Sequence, residues 1–270
     1  MSDWFKVLAA VAPKGRADIL RGAALAMPGV CAAYEISPGL RQAHFIAQCA
    51  HESDGLKTTT EYASGDAYEG RHDLGNTQPG DGRRFKGRGL IQVTGRANYR
   101  DMGARLGVDL MTIPESVASF PWAAITAGAY WGWRKINRLA DADDLHAVTR
   151  AVNGGTNGLA SRAVYLVRAK AALAGQDMGD DQAKAAARDH LNTAAEKAKA
   201  KASGHKKAAG GAGMGGTGAA AAAHGTHGHA GVTIALVALA LAVAGYFAWQ
   251  AARAGAKAKA LNEAAKAVQP

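Results

Sequence analysis

The sequence predicts a mainly helical domain with a loop-rich cleft over residues 1–175, then a flexible linker and a single transmembrane helix. Three observations lead there: helical spacing of apolar residues through most of the first 175 positions, a change of composition near Gly175, and an apolar run from Val232 to Trp249 without a formal charge. The 270 residues carry 32 Lys and Arg against 22 Asp and Glu, a net charge of +10. Apolar residues make up 48%, enough for a packed core, which excludes a wholly disordered chain. Two cysteines exclude a disulfide-dense scaffold and a four-cysteine zinc ribbon. The positive excess suits polyanionic surroundings: nucleic acid, anionic lipid or an anionic cell-wall polymer.

Met1 to Lys6 includes an acidic residue, and the apolar stretch Val7 to Pro13 is short, so no export signal is read and synthesis is expected to leave the chain in the cytoplasm. Leu40 to Glu52 has helical spacing, with Leu40, Ala43, Ala47 and Ala50 near one face. Ser53-Asp54-Gly55 supplies its stop, glycine tolerating a left-handed backbone. Glu52 therefore falls on the last turn, where the helix dipole favours a protonated carboxyl and hence a general acid. Thr58 to Arg88 reads as loops and turns, and Gly87 to Gly95 as a tight turn into an extended piece. Helical spacing returns at Asn98–Leu106, Trp122–Trp133, Leu145–Val152 and Ala160–Leu173, which closes the domain.

Beyond it, residues 176–231 read as a connector: an Ala/Lys/Asp stretch to Lys207 that suits a solvated helix, then an Ala/Gly/His tract that suits a flexible linker. Residues 232–252 are predicted to form the transmembrane helix. The 18 uncharged residues Val232–Trp249 span about 27 Å, close to the hydrocarbon thickness of a bilayer. Tyr246 and Trp249 match interfacial aromatics, and Arg253, Lys257, Lys259 and Lys266 in the basic tail 253–270 would hold the C-terminus in the cytoplasm. That orientation places the main domain in the periplasm, tethered to the inner membrane; a protein held in the cytoplasm until lysis is the alternative.

The chemistry-bearing motifs follow in order: His51-Glu52-Ser53, Glu61, Gly80-Asp81-Gly82, the run Gly87-Arg88-Gly89-Leu90-Ile91-Gln92-Val93-Thr94-Gly95-Arg96-Ala97-Asn98-Tyr99, and Val152-Asn153-Gly154-Gly155. With these motifs in register, the chain resembles the family 19 glycoside hydrolases (chitinase-like), most closely the endolysin branch of phages and prophages. The resemblance covers about residues 15–173 and leaves out the connector and apolar tail. It implies a lysozyme-like α+β glycoside hydrolase domain and an inverting reaction with Glu52 as acid and Glu61 as the base that activates water. Such chemistry uses two carboxyl groups about 6.5–9.5 Å apart. Glu69 rivals Glu61 for the second role, or else lines the cleft in a salt bridge to Arg71 or Arg88.

The same resemblance sets Gln92, Thr94, Asn98 and Asn153 against the sugar. A small hydroxyl such as Thr94 can orient a water, and amides offer the donor and acceptor that an N-acetyl group needs; Asn-Gly and Gly-Gly are also ordinary turn formers. Arg162 stands either as a substrate contact or as a solvated helix arginine. His51 reads as a hydrogen-bonded wall residue, since the second histidine of a zinc-protease helix is missing. His224, His227 and His229 read as incidental, and no metal or cofactor is expected. Cys31 and Cys49 read as buried free thiols, and Trp122, Trp131 and Trp133 as core rather than sugar platforms.

The leading function is cleavage of the N-acetylated aminosugar glycan of peptidoglycan, favoured by the positive charge, compact loops and lack of a cysteine-rich chitin-binding module. Chitin oligomers are the alternative substrate, and a non-catalytic, membrane-tethered wall-binding protein the alternative class. The expected partners are thus the polysaccharide, the membrane through the C-terminal segment, and a holin-type pore-former. Nucleic acid is not among them, because no helix-turn-helix, zinc or aromatic RNA-binding signature is present.

Overall fold

The computed structural model describes residues 3–222 and 230–269, with side chains described as far as 212 and again from 238. Contacts divide the chain into two units, Met1–Arg188 with Val268–Pro270, and Asp189–Ala267.

The first unit is mainly helical, as predicted. It opens with α1 (Trp4–Val11), α2 (Ala17–Ala33) and α3 (Leu40–Glu52). A long irregular stretch follows, broken by α4 (Asp81–Arg84) and two 3-10 turns, Asp66–Tyr68 and His72–Leu74. The chain then forms α5 (Arg96–Leu106), α6 (Trp122–Trp133), α7 (Asn137–Asp141), α8 (Leu145–Asn153) and α9 (Leu159–Leu173). Strand pairing among the described residues is limited to two isolated antiparallel bridges, Thr60 with Arg88 and Arg88 with Val93.

α3 is the axis of this unit. Every residue from Gln42 to Ala50 is buried, so the helix is enclosed on all faces rather than along one stripe. It packs most extensively on α9 and also meets α1, α7 and α8. Ala43, Ala47 and Ala50 are fully buried, and small side chains allow close approach of neighbouring helices. Phe45 meets Trp131 of α6 edge-to-face, with ring centroids 5.3 Å apart, in the favoured aromatic geometry. Trp131 is therefore core, as read from the sequence. Trp133 is exposed, and the Arg105 guanidinium lies 4.1 Å from its ring centroid.

The second unit holds the remainder of α10 (Asp180–Ala222) and α11 (Ala230–Ala267). Its buried positions include Leu191, Ala195, Ala198 and Ala202 on α10, and Ala251, Ala254, Ala258, Leu261 and Ala265, with Ala264 beside the last, on α11. Both series advance by alternating three and four residues, the repeat that keeps one seam of a helix turned toward a partner. His205 stacks on Phe247, with centroids 5.9 Å apart, which pairs the two helices.

Two expectations change here. The tract from Ala208, read as a flexible linker, continues α10 as far as Ala222 in spite of Gly210-Gly211. His224, His227 and His229 lie outside the described residues. The predicted transmembrane helix 232–252 is not supported: among the described residues no helix is long and apolar enough to cross a membrane. The side chains of 232–237 lie outside the described residues. Of the predicted span, the described side chains 238–250 are exposed or half-buried, Leu239, Leu241, Val243, Tyr246 and Trp249 among the exposed, and the buried series of α11 begins at Ala251. Moreover, α11 runs on without interruption through Arg253, Lys257 and Lys259.

Because Phe45 is buried at the centre of the first unit, Phe45→Ala is expected to destabilise it by about 3–5 kcal/mol. Urea unfolding followed by tryptophan fluorescence would show a lower midpoint at an unchanged slope.

Candidate active site

Glu52 ends α3, and the chain reverses at once. Ser53 Oγ donates to the Cys49 carbonyl at 2.7 Å and accepts from Leu56 N at 3.1 Å. Asp54, Gly55 and Leu56 then take three successive positive φ angles of 51°, 69° and 57°. The expected glycine stop is thus a three-residue left-handed reversal, locked by Gly55 N donating to Ala50 O at 2.6 Å. The loop is closed farther on, where the Tyr62 hydroxyl donates to Asp54 Oδ2 at 3.1 Å.

The Glu52 side chain is 18% exposed and forms an ion pair with Arg162 of α9, Nη2 to Oε1 at 2.5 Å. Arg162 is neither the solvated arginine nor the substrate contact read from the sequence: its side chain is fully buried. Its Nε donates to Asn157 O at 3.2 Å, and its Nη1 donates to Oε1 of buried Gln48. This three-way fixation was not legible from sequence, since nothing local to Arg162 marks a partner 110 residues away.

Glu61 lies on the extended piece that bridges to Arg88. Its N donates to Gly87 O at 3.0 Å, and Gly87 N donates back to Glu61 Oε2 at 2.8 Å. Gly87 is required here for close approach: a Cβ would lie 2.7 Å from both Glu61 Oε2 and Gln92 Oε1, and 3.2 Å from Thr94 Oγ1. Glu61, Gln92 and Thr94 therefore converge on one point. Gln92 adopts φ 57° and is fixed by its Nε2 donating to Gly89 O at 2.8 Å. Thr94 Oγ1 donates to Gln92 O at 2.9 Å, so its proton is engaged and its lone pairs remain. Asn98 is exposed, and its Nδ2 donates to Thr94 O at 2.6 Å, extending the same row. Asn153 ends α8 and is exposed; among the described residues no hydrogen bond joins it to this group.

Glu69 is occupied differently. Its Oε1 accepts from Gly80 N at 2.7 Å and its Oε2 from Gly82 N at 2.8 Å. The expected salt bridges to Arg71 or Arg88 are absent among the described residues, because Arg71 pairs with Asp73 and Arg88 with Glu115. Arg88 is buried and also donates to Arg84 O at 2.8 Å and to the Tyr99 hydroxyl at 3.1 Å. Buried Asp81 accepts from Thr77 N, Gln78 N and Arg96 Nε at 3.0, 2.9 and 2.7 Å. The Arg96 bond holds the Asp81 carboxyl below its ordinary range. In the absence of regular strands, these side-chain bonds to backbone shape the loop wall beneath Glu61.

Next to Glu52, His51 packs against Gly158, and its Nδ1 lies 2.7 Å from the Ser161 hydroxyl. Burial, assisted by the Arg162 charge, pushes its pKa down to about 4. The wall role read from the sequence holds. Cys31 and Cys49 are buried free thiols, as expected, and burial raises both, Cys31 to about 12. Among the described residues no group of three or more His, Cys, Asp or Glu is placed to hold a metal ion.

The sequence matches the family described as chitinase class I, of the glycosyl hydrolase 19 type, over residues 16–152. It is 34% identical over 155 residues to a glycosyl hydrolase family 19 domain-containing protein of Haemophilus influenzae, covering 46% of this chain and 75% of that one. It is 36% identical over 125 residues to an endochitinase of Arabidopsis thaliana, covering 46% and 43%. The chain thus spans less than half the length of this plant relative. Among solved structures, chitinase C from Streptomyces griseus superposes with a TM-score of 0.52 at 20% identity, over 66% of this chain and 80% of that one, a likeness of fold.

A histidine buried neutral sets the sign of an acid effect. Between about pH 6.5 and 4 the unfolded chain binds the His51 proton and the folded chain does not, so stability present above that window is lost as pH falls through it. His44, also lowered by burial, acts in the same direction. The expected loss for His51 is on the order of 2–3 kcal/mol. Urea unfolding at pH 7 and about pH 4.5 should show it, and His51→Gln should shrink the difference.

Proposed function

The chain belongs to glycoside hydrolase family 19, and from that premise we propose that it is an endolysin-like enzyme cutting the N-acetylated aminosugar glycan of bacterial peptidoglycan. That it is a glycoside hydrolase follows from the family; the substrate and the residue roles are the proposal. The observation that carries the roles is the convergence of Glu61, Gln92 and Thr94 over Gly87, with Glu52 held separately by Arg162.

A nucleophilic water must give up one hydrogen to a base and present a lone pair to the anomeric carbon. Glu61 Oε2, Gln92 Oε1 and Thr94 Oγ1 all lie within 3.2 Å of the position that a Gly87 Cβ would take, so the three stand close together, and all can accept. A water that donates one hydrogen to Glu61 Oε2 and the other to Gln92 Oε1 or Thr94 Oγ1 turns its lone pairs outward toward the sugar. Glu61 takes the proton as attack proceeds. Glu52 gives its proton to the departing glycosidic oxygen, and the Arg162 guanidinium meets the negative charge that grows on Glu52 at that moment. Attack and departure on opposite faces give inversion.

The commitment of both Glu69 oxygens to backbone amides supports Glu61 over Glu69 as the base. Asn98 and Asn153 are the exposed amides assigned to N-acetyl groups. The +10 charge supports an anionic wall polymer as substrate, since long-range attraction raises encounter with it. Chitin remains the second reading, favoured by the endochitinase names of plant relatives. In the lysis reading the enzyme stays in the cytoplasm until a holin-type pore-former opens its route to the wall.

Reducing ends released from purified murein and from chitin oligomers test both levels. Glu52→Gln and Glu61→Gln are each expected to lower turnover by about 10²-fold or more, Glu61→Gln with unchanged thermal unfolding and Glu52→Gln with a lower Tm, because buried Arg162 loses its counter-charge. Glu69→Gln should lose one backbone bond, about 1–2 kcal/mol of stability, and keep most turnover. Loss of turnover confined to a folded Glu69→Gln would reverse the assignment of the base. Release from chitin alone would replace peptidoglycan as substrate.

A further inference from the structure

Along α3, His44, Gln48 and Glu52 recur every fourth residue and so form one row. His44 Nε2 lies 2.8 Å from Asp143 Oδ1, and Asp143 pairs with Lys170 of α9. Gln48 and Glu52 meet Arg162 of the same helix. Gln48 is fully buried, yet among the described residues its Nε2 has no hydrogen-bond partner. Its Oε1, taken by Arg162 Nη1, forms the one hydrogen bond of its side chain there. A half-satisfied buried amide is a net burden on folding, so its presence calls for a reason in what its carbonyl does.

That carbonyl divides the guanidinium. Arg162 gives Nε to Asn157 O, Nη1 to Gln48 and Nη2 to Glu52 Oε1. Arginine and carboxylate otherwise favour two parallel bonds that engage both oxygens. Here Glu52 receives one.

We propose that Gln48 is a positioning residue for the glycosidase reaction: its side-chain carbonyl withholds Arg162 Nη1 from Glu52 and so leaves the second Glu52 oxygen to carry the proton. The inference rests on the reading of Glu52 as the acid. The charged and titratable groups facing Glu52 are Arg162 from α9, Tyr130 from α6, and His51 and Cys49 from its own helix. Burial raises Tyr130 and Cys49 and lowers His51 to about 4, which keeps all three from titrating near neutrality.

The test is the pH dependence of kcat/KM for the full chain and for Gln48→Met, Gln48→Glu and Glu52→Gln, on solubilised murein or a chitin oligomer, whichever the wild type cuts. In Gln48→Met the freed Nη1 turns to the second Glu52 oxygen. The alkaline limb should move down by about one pH unit, and kcat near neutrality should fall about tenfold with KM nearly constant. In Gln48→Glu a second carboxylate shares the guanidinium, and the limb should move up by about one pH unit. Opposite displacements are a signature that loss of packing does not produce. Limbs unmoved, or moved in the same direction, overturn the proposal. Should Gln48→Met fail to fold, Gln48→Glu decides: a rise supports the proposal, and no change or a fall overturns it. A Glu52→Gln variant with normal turnover removes the acid assignment and this inference together, whereas an inactive one beside unmoved limbs removes Gln48 alone.

Discussion

A guanidinium without solvent must find acceptors inside the protein, and the packing of α3 on α9 is arranged around that need. Arg162 is fully buried, and its hydrogen bonds reach three places: the Asn157 carbonyl, the Gln48 amide and the Glu52 carboxylate. One ion links the central helix, the turn before α9 and the Glu52 carboxylate. Breaking such a pair leaves an uncompensated charge in the core, far more costly than an exposed pair. The position of Glu52 is thereby part of the fold and cannot drift independently of it.

The group around Glu61 is built on another principle. Glu61, Gln92 and Thr94 stand on irregular backbone, where no helix or sheet ladder fixes them. Rigidity comes instead from side chains that satisfy backbone groups: Glu69 on two glycine amides, Asp81 on Thr77 and Gln78, and Arg88 on the Arg84 carbonyl. Loops carry function best when a scaffold holds them, and here charged residues distant in sequence supply that scaffold.

This division explains what could be read from the amino-acid order. The helices, the stop after Glu52 and the loop character of residues 58–88 were legible, because apolar spacing and glycine placement are local signals. Gln92, Thr94 and Asn98 stand within one run of seven residues, but that Glu61, 31 residues earlier, meets Gln92 and Thr94 at Gly87 is a matter of the fold. Arg162 and Glu69 were misread, since their partners are chosen by packing across 110 residues or by backbone amides that carry no sequence signature. The C-terminal segment was read from hydropathy alone, and among the described residues no helix is long and apolar enough to cross a membrane.

The bare backbone of Gly87 has one more implication. A single methyl group there would stand 2.7 Å from both Glu61 Oε2 and Gln92 Oε1 and push them apart, while Glu52 on α3 would keep its pair with Arg162. One codon would thus disturb the group at Gly87 and leave every helix unaltered, so two chains alike in all their helices need not be alike in chemistry.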